Sequence, residues 1–276
     1  MSELLEPFEM GLVHVADECP LCPKSDNTQH YVTYSGEDNS GSKLAKNINN
    51  PEGFGVSVEA DARPKDGKTG KDDRLNQFFV EVEDEDKEDG LKGKDKGWKF
   101  QAHHAISGNQ CLAGHPVERY ILGKKDVRFD TGYSVNNPQN GVWLPSGHKR
   151  RAWPGVANYE KSLEIAMEGM EQCGRQFHVG GHDIAVDANG LDPKCAQNYI
   201  DFVQSYLTEL HGILIEWSAH CPNAKKEKPI GNTIIHNALD AVSGHIIGML
   251  TSSPRRWTSF VSRYSRDYLR ELRKKR

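Results

Sequence analysis

The chain has 276 residues, 36% of them hydrophobic, and a formal net charge of −4, enough for one large or two small domains. Mean hydropathy is −0.70, and no run of about 18 apolar residues occurs, so no membrane insertion is expected. The acidic opening, Met1-Ser2-Glu3-Leu4-Leu5-Glu6-Pro7, lacks the basic-then-apolar order of a secretory signal. The expected setting is a reducing cytoplasm, where the six cysteines serve as thiols or metal ligands rather than as a disulfide framework.

Leu12-Val13-His14-Val15 reads as a short strand. Cys19-Pro20-Leu21-Cys22 follows, a knuckle that puts two thiolates on one turn and suits tetrahedral zinc. Cys19 and Cys22 are therefore candidate structural zinc ligands. A complete site needs two more, for which His14, His30, His220 and Cys221 are candidates. Residues 35–75 are rich in Gly, Asn, Asp, Ser and Lys and read as loops. The aromatic and β-branched run at residues 77–82 predicts a strand. Residues 83–96 form a charged low-complexity tract, read as a hairpin tip or linker.

Residues 97–101 predict a strand that leads into His103 and His104. On a strand, adjacent side chains take opposite faces, so the two imidazoles can do two jobs. Residues 109–123 read as loop with a short helix, and residues 136–141 are dense in turn formers. Apolar residues at 159, 163, 166, 167 and 170 predict a helix over residues 158–173. Asp192-Pro193 reads as cap and first turn of a helix running to about Ser218. Residues 232–250 predict another helix, and Ser253-Pro254 the start of a last one.

Charge is unevenly spread. Residues 1–95 hold 22 Asp/Glu and 11 Lys/Arg, a net of −11, which leaves 24 Lys/Arg and 17 Asp/Glu, a net of +7, for the rest. The His pair lies in the positive part, which would attract a phosphodiester polyanion.

Taken in order, the chain offers His103-His104, then Asn140 in Asn140-Gly141-Val142-Trp143-Leu144-Pro145, then His178-Val179-Gly180-Gly181-His182. This set resembles the AHH family of nucleases in the HNH (ββα-metal) superfamily, which includes bacterial toxin domains. The resemblance spans roughly residues 98–210. It implies an α+β fold: a ββα-metal (HNH-like) nuclease core, with a helical C-terminal half and a loop-rich N-terminal region. The corresponding division is an acidic docking or loading region at 1–75, a nuclease core at 76–218 and a basic helical extension at 219–276.

The resemblance also implies roles. His104 matches the general base and Asn140 the residue that holds it. His103 and His182 match metal ligands; His178 is a third candidate and His148 a rival, being closer to Asn140. Lys149, Arg150 and Arg151 are candidate phosphate contacts. The cofactor implied is one divalent ion, Mg, Mn or Zn. The activity implied is metal-dependent cleavage of DNA, with RNA as the other polymer of the same chemistry. The further expectation is an antibacterial toxin of type VI-like delivery, cytoplasmic in its producer and carried into a target cell. Its partners would be a cognate immunity protein and a secretion-system component. The alternatives are a non-catalytic zinc protein that binds nucleic acid, and a phage or restriction-type HNH endonuclease. The gaps of 36 residues from His104 to Asn140 and 42 from Asn140 to His182 require insertions in a compact ββα unit.

Overall fold

The computed structural model describes residues 19, 21–22, 39–49, 98–121, 133–147, 159–179, 182, 197–222 and 233–275. The expected strands at 12–15 and 77–82 lie outside the described residues. The chain divides into two units, each discontinuous in sequence: one from residues 1–60, 104–141 and 203–247, the other from 61–103, 142–202 and 248–276. The sequential division into 1–75, 76–218 and 219–276 therefore cuts across both units.

Helix α1 (Gly41–Asn49) belongs to the first unit. It lies inside the stretch read as loop from its Gly, Asn and Ser content. Two residues explain it: Leu44 and Ile48, four apart on one face, are both fully buried. The Ser40 hydroxyl accepts the Lys43 N–H at 3.3 Å, satisfying one of the orphan donors of the first turn. A π turn (Gly108–Leu112) capped by Ser107 and a 3-10 turn (Pro116–Tyr120) capped by His115 occupy the region expected to be loop and short helix. Between them Gly114 takes φ +77°, a conformation cheap only for glycine.

Helices α3 (Tyr199–His220) and α4 (Thr233–Leu250) complete this unit over residues 203–220 and 233–247. Val203, Leu207, Leu210 and Leu214 are buried on the first, and Ile235, Leu239, Val242 and Ile246 on the second. Each set recurs at i, i+4, i+7 and i+11, one stripe of a 3.6-residue helix. Tyr206 Oη and His245 Nε2 meet at 2.8 Å between the two helices.

Strands β1 (Trp98–His104) and β2 (Gly141–Gly147) form a two-stranded sheet, and their residues 98–103 and 142–147 belong to the second unit. Helix α2 (Tyr159–Cys173) lies where its apolar spacing predicts and packs on α5 (Arg263–Lys274). Tyr159 stacks on Tyr264 at 5.3 Å between ring centres, with the Arg263 guanidinium 4.4 Å over its face. Short strands β3 (Gln197–Asn198) and β4 (Ser259–Phe260) pair in parallel. The buried Gln176 carboxamide joins these parts, donating to Ser259 C=O (2.7 Å) and accepting from Val261 N–H (2.9 Å).

Two helix starts differ from expectation. Gln197 and Asn198 are extended and paired with β4, so α3 begins at Tyr199 rather than Pro193. The Asn198 side-chain oxygen Oδ1 accepts the Ile200 N–H at 2.9 Å, doing the capping. Pro254 opens only one 3-10 turn. The chain then extends through β4, and Ser262 caps α5 by accepting the Ser265 N–H. The α+β class stands, with helix predominating. Among the described residues no helix is long and apolar enough to cross a membrane.

Candidate functional site

In the second unit β1 ends by turning His103 inward to 2% exposure. The segment after α2 returns along β2: Ser146 and His178 form a parallel bridge, and the His178 N–H donates to Pro145 C=O at 2.7 Å. His178 is thus carried on an extended segment and not on a helix. His182 lies 8% exposed a short step further on.

These three histidines converge. Ring centres lie 4.9 Å apart for His103–His178, 4.9 Å for His103–His182 and 5.4 Å for His178–His182. One ligand nitrogen from each falls within 4.8 Å of the others. Nitrogens about 2.0–2.1 Å from one tetrahedral ion stand roughly 3.3–3.4 Å apart, so an inward shift of about an ångström or less per ring closes the site.

Outer contacts orient two of the rings. His182 Nδ1 faces the Val261 carbonyl at 3.4 Å; donation there leaves Nε2 as the ligand atom, the arrangement typical of metal-bound imidazole. His103 Nε2 meets the Tyr199 hydroxyl at 2.9 Å. Tyr199 is fully buried with its ring 5.4 Å from His103 and 5.3 Å from His182. A set of neutral imidazoles fits a borderline divalent ion and leaves that ion its full charge.

In the first unit His104, 7% exposed, sends Nε2 to Asn136 Oδ1 at 2.9 Å. The same oxygen accepts the Ser40 backbone N–H at 3.3 Å, which identifies it as the amide carbonyl. The His104 contact is therefore an Nε2–H donation, and Nδ1 carries the lone pair. Burial lowers the His104 pKa from its ordinary value, and the hydrogen bond to Asn136 opposes part of that. The ring is a neutral base around pH 7.

Asn140, fully buried, does not bond to His104. Its carbonyl oxygen accepts the Ile106 N–H (2.7 Å) and the Ser243 hydroxyl (2.9 Å). Its amide donates to Ile106 C=O (2.9 Å) and Val135 C=O (2.8 Å). The carboxamide staples the turn after His104 to residues 135–140 through backbone groups. Asn136, and not Asn140, makes the side-chain hydrogen bond to the His104 ring. Its signal was present, as the first of three asparagines in five residues, but the family pattern drew attention to the third. Tyr199, at the end of β3 and the start of α3, carries no motif that would have singled it out.

Cys19, Cys22 and Cys221 form a second cluster, in the first unit, with sulfur atoms within 4.8 Å of one another. The rival ligand His148 and the phosphate candidates Lys149, Arg150 and Arg151 lie outside the described residues, as do His14 and His30. His220 is exposed, with Nδ1 on its own helix at Glu216 C=O. Comparison with protein-family models, curated proteins and solved structures finds no match.

Proposed function

We propose that this chain is a metal-dependent endonuclease of the HNH kind, in which His103, His178 and His182 hold one divalent ion and His104 is the general base. The observation that carries the reading is the convergence of three histidines, scattered over 80 residues of sequence, within 4.8 Å. A fourth histidine, adjacent to the first, has its tautomer fixed with Nδ1 as acceptor. Supporting it are the order His-His, Asn, His-x-x-x-His and the orienting contacts of His182 and His103.

Phosphodiester hydrolysis needs an activated water, neutralised phosphate charge and a stabilised leaving oxygen. When bound, a divalent ion supplies the last two as a Lewis acid. The chain's own residues supply the first. His104 Nδ1 takes a proton from water as the water oxygen bonds to phosphorus and one ester P–O bond breaks; the departing oxygen takes up a proton. The Asn136 carbonyl keeps the ring in the tautomer that can do this, and accepts a stronger hydrogen bond as the ring becomes cationic. Tyr199 holds His103, and Val261 holds His182.

The proposed substrate is DNA, drawn to the net +7 of residues 96–276. The proposed biological role is a delivered antibacterial toxin, neutralised by an immunity protein. The test is expression of the full chain in a bacterial host, with plasmid integrity as readout. Wild type should nick plasmid and arrest growth; His104→Ala should do neither while keeping its divalent ion. Intact plasmid from wild-type cells, together with none cut by the purified protein in Mg, Mn, Co, Ni or Zn, would refute the assignment. A chain that keeps tightly bound zinc yet cuts nothing would favour the non-catalytic zinc protein.

A further inference from the structure

We infer that Cys19, Cys22 and Cys221 hold a structural zinc ion, separate from the histidine cluster, which ties the Cys-x-x-Cys knuckle to the end of helix α3. The three residues come from opposite ends of the sequence. Two sit on one turn, closed by Cys22 N–H to Cys19 C=O at 3.3 Å. The third directly follows His220, the last residue of α3, and donates its N–H to Trp217 C=O at 2.8 Å. All are at most 1% exposed, and Leu21 between the knuckle cysteines is fully buried.

Buried thiols can pack as small hydrophobes, so convergence alone does not make a metal site. Two further facts do. First, Cys22 Sγ and Cys221 Sγ are 3.7 Å apart. Sulfurs about 2.3 Å from a tetrahedral zinc stand roughly 3.8 Å apart along the edge, whereas a disulfide needs about 2.05 Å. Second, the Leu21 N–H points at Cys19 Sγ at 3.4 Å, a donor that suits a thiolate better than a thiol.

Among the described residues these three are the only ligands gathered at this point. Zinc is favoured over harder ions by the thiolate set. The three thiols are buried, which suits an ion that contributes to folding rather than to catalysis.

The experiment uses the full chain carrying His103→Ala, His178→Ala and His182→Ala, which removes the histidine cluster and leaves the thiols. This protein should purify with about one zinc per chain. Its cobalt-exchanged form should show sulfur-to-cobalt charge transfer and the intense visible bands of a tetrahedral site. Adding Cys221→Ser should abolish both. To separate loss of the ion from loss of the fold in that variant, the zinc-loaded triple-histidine protein is titrated with an organomercurial. Release of one zinc as three thiols react supports the site. A folded triple-histidine protein without zinc, a cobalt spectrum lacking sulfur charge transfer, or a Cys22–Cys221 disulfide in the native protein would overturn it. None of these readouts depends on nuclease activity.

Discussion

Replacing Asn140 by Ala tests whether this residue acts as scaffold or as catalyst. The side chain is fully buried and fills four hydrogen-bonding positions: Ile106 N–H, Ile106 C=O, Val135 C=O and the Ser243 hydroxyl. Alanine strands all four partners. The Ser243 hydroxyl can turn to a carbonyl of its own helix, which leaves three backbone groups without a replacement. A stranded buried group costs about 1–3 kcal/mol, so the loss is roughly 3–6 kcal/mol once some hydration is allowed. For a chain of this size that is a fall in Tm on the order of 10 °C or more. Asn140→Asp keeps the two acceptor contacts but turns a carboxylate toward two carbonyl oxygens. Its folded state holds a proton more tightly than its unfolded state, so its stability relative to wild type should decline as pH rises. Ser243→Ala removes one contact and should cost only about 1 kcal/mol. Thermal and urea melts of the full chain, followed by circular dichroism, read these differences. An Asn140→Ala protein that melts within a degree or two of wild type yet cuts no DNA would refute the scaffold account and give Asn140 a direct catalytic role.

Asn136→Ala should lower turnover roughly ten- to a hundredfold, the effect of losing about 1.5–3 kcal/mol from a hydrogen bond to a group that becomes charged. Metal content should stay unchanged, and the nitrogen-15 signature of His104 should show loss of its fixed tautomer; an unaltered tautomer would contradict the role. Gly141→Ala places a Cβ 2.5 Å from Ile48 Cδ1 and 2.8 Å from Leu44 Cδ1, so it should cost about 1–3 kcal/mol by overpacking. Urea melts should show Ile48→Val recovering part of that loss, since it removes the nearest carbon. Burial pushes the Asp240 carboxyl up to about 7, with the Asn137 amide opposing. The folded chain therefore binds this proton more tightly than the unfolded chain, and stability should fall as pH rises from about 4 to about 7. The change is at most about 4 kcal/mol, less to the extent that solvent reaches the half-buried side chain. Asp240→Asn should flatten that part of the pH–stability curve, and an unchanged slope in melts across this range would contradict the assignment.

Where the sequence was legible, a period or a motif was local. Helix α2 declared itself through Tyr159, Leu163, Ala166 and Met170, and α4 through its apolar stripe. The histidines that cluster were readable because His-His and His-x-x-x-His are short local motifs. The knuckle cysteines were readable because Cys-x-x-Cys is one too. What escaped was set by tertiary contact. Helix α1 has only Leu44 and Ile48 to bury, too little for a periodic signal amid polar residues. The start of α3 was misplaced because Asp192-Pro193 has good capping chemistry, while the pairing of Gln197 and Asn198 with β4 is a contact across some 60 residues. The hydrogen bond of His104 to Asn136 rather than Asn140 has the same origin: the Asn136 carboxamide also meets Ser40 and that of Asn140 meets Ser243, and neither serine is near in sequence.

The central claim is that binding and proton transfer are divided between His103, His178 and His182 on one side and His104 on the other. It is tested most directly by measuring manganese affinity and single-turnover cleavage of a labelled DNA duplex on the same preparations of wild type, His104→Ala and His182→Ala. The account predicts that His104→Ala binds manganese like wild type and does not cleave at any manganese concentration. His182→Ala should bind at least tenfold more weakly and recover part of its cleavage when manganese is raised. Cleavage by His104→Ala at the wild-type rate, or unchanged manganese affinity in His182→Ala, would contradict it.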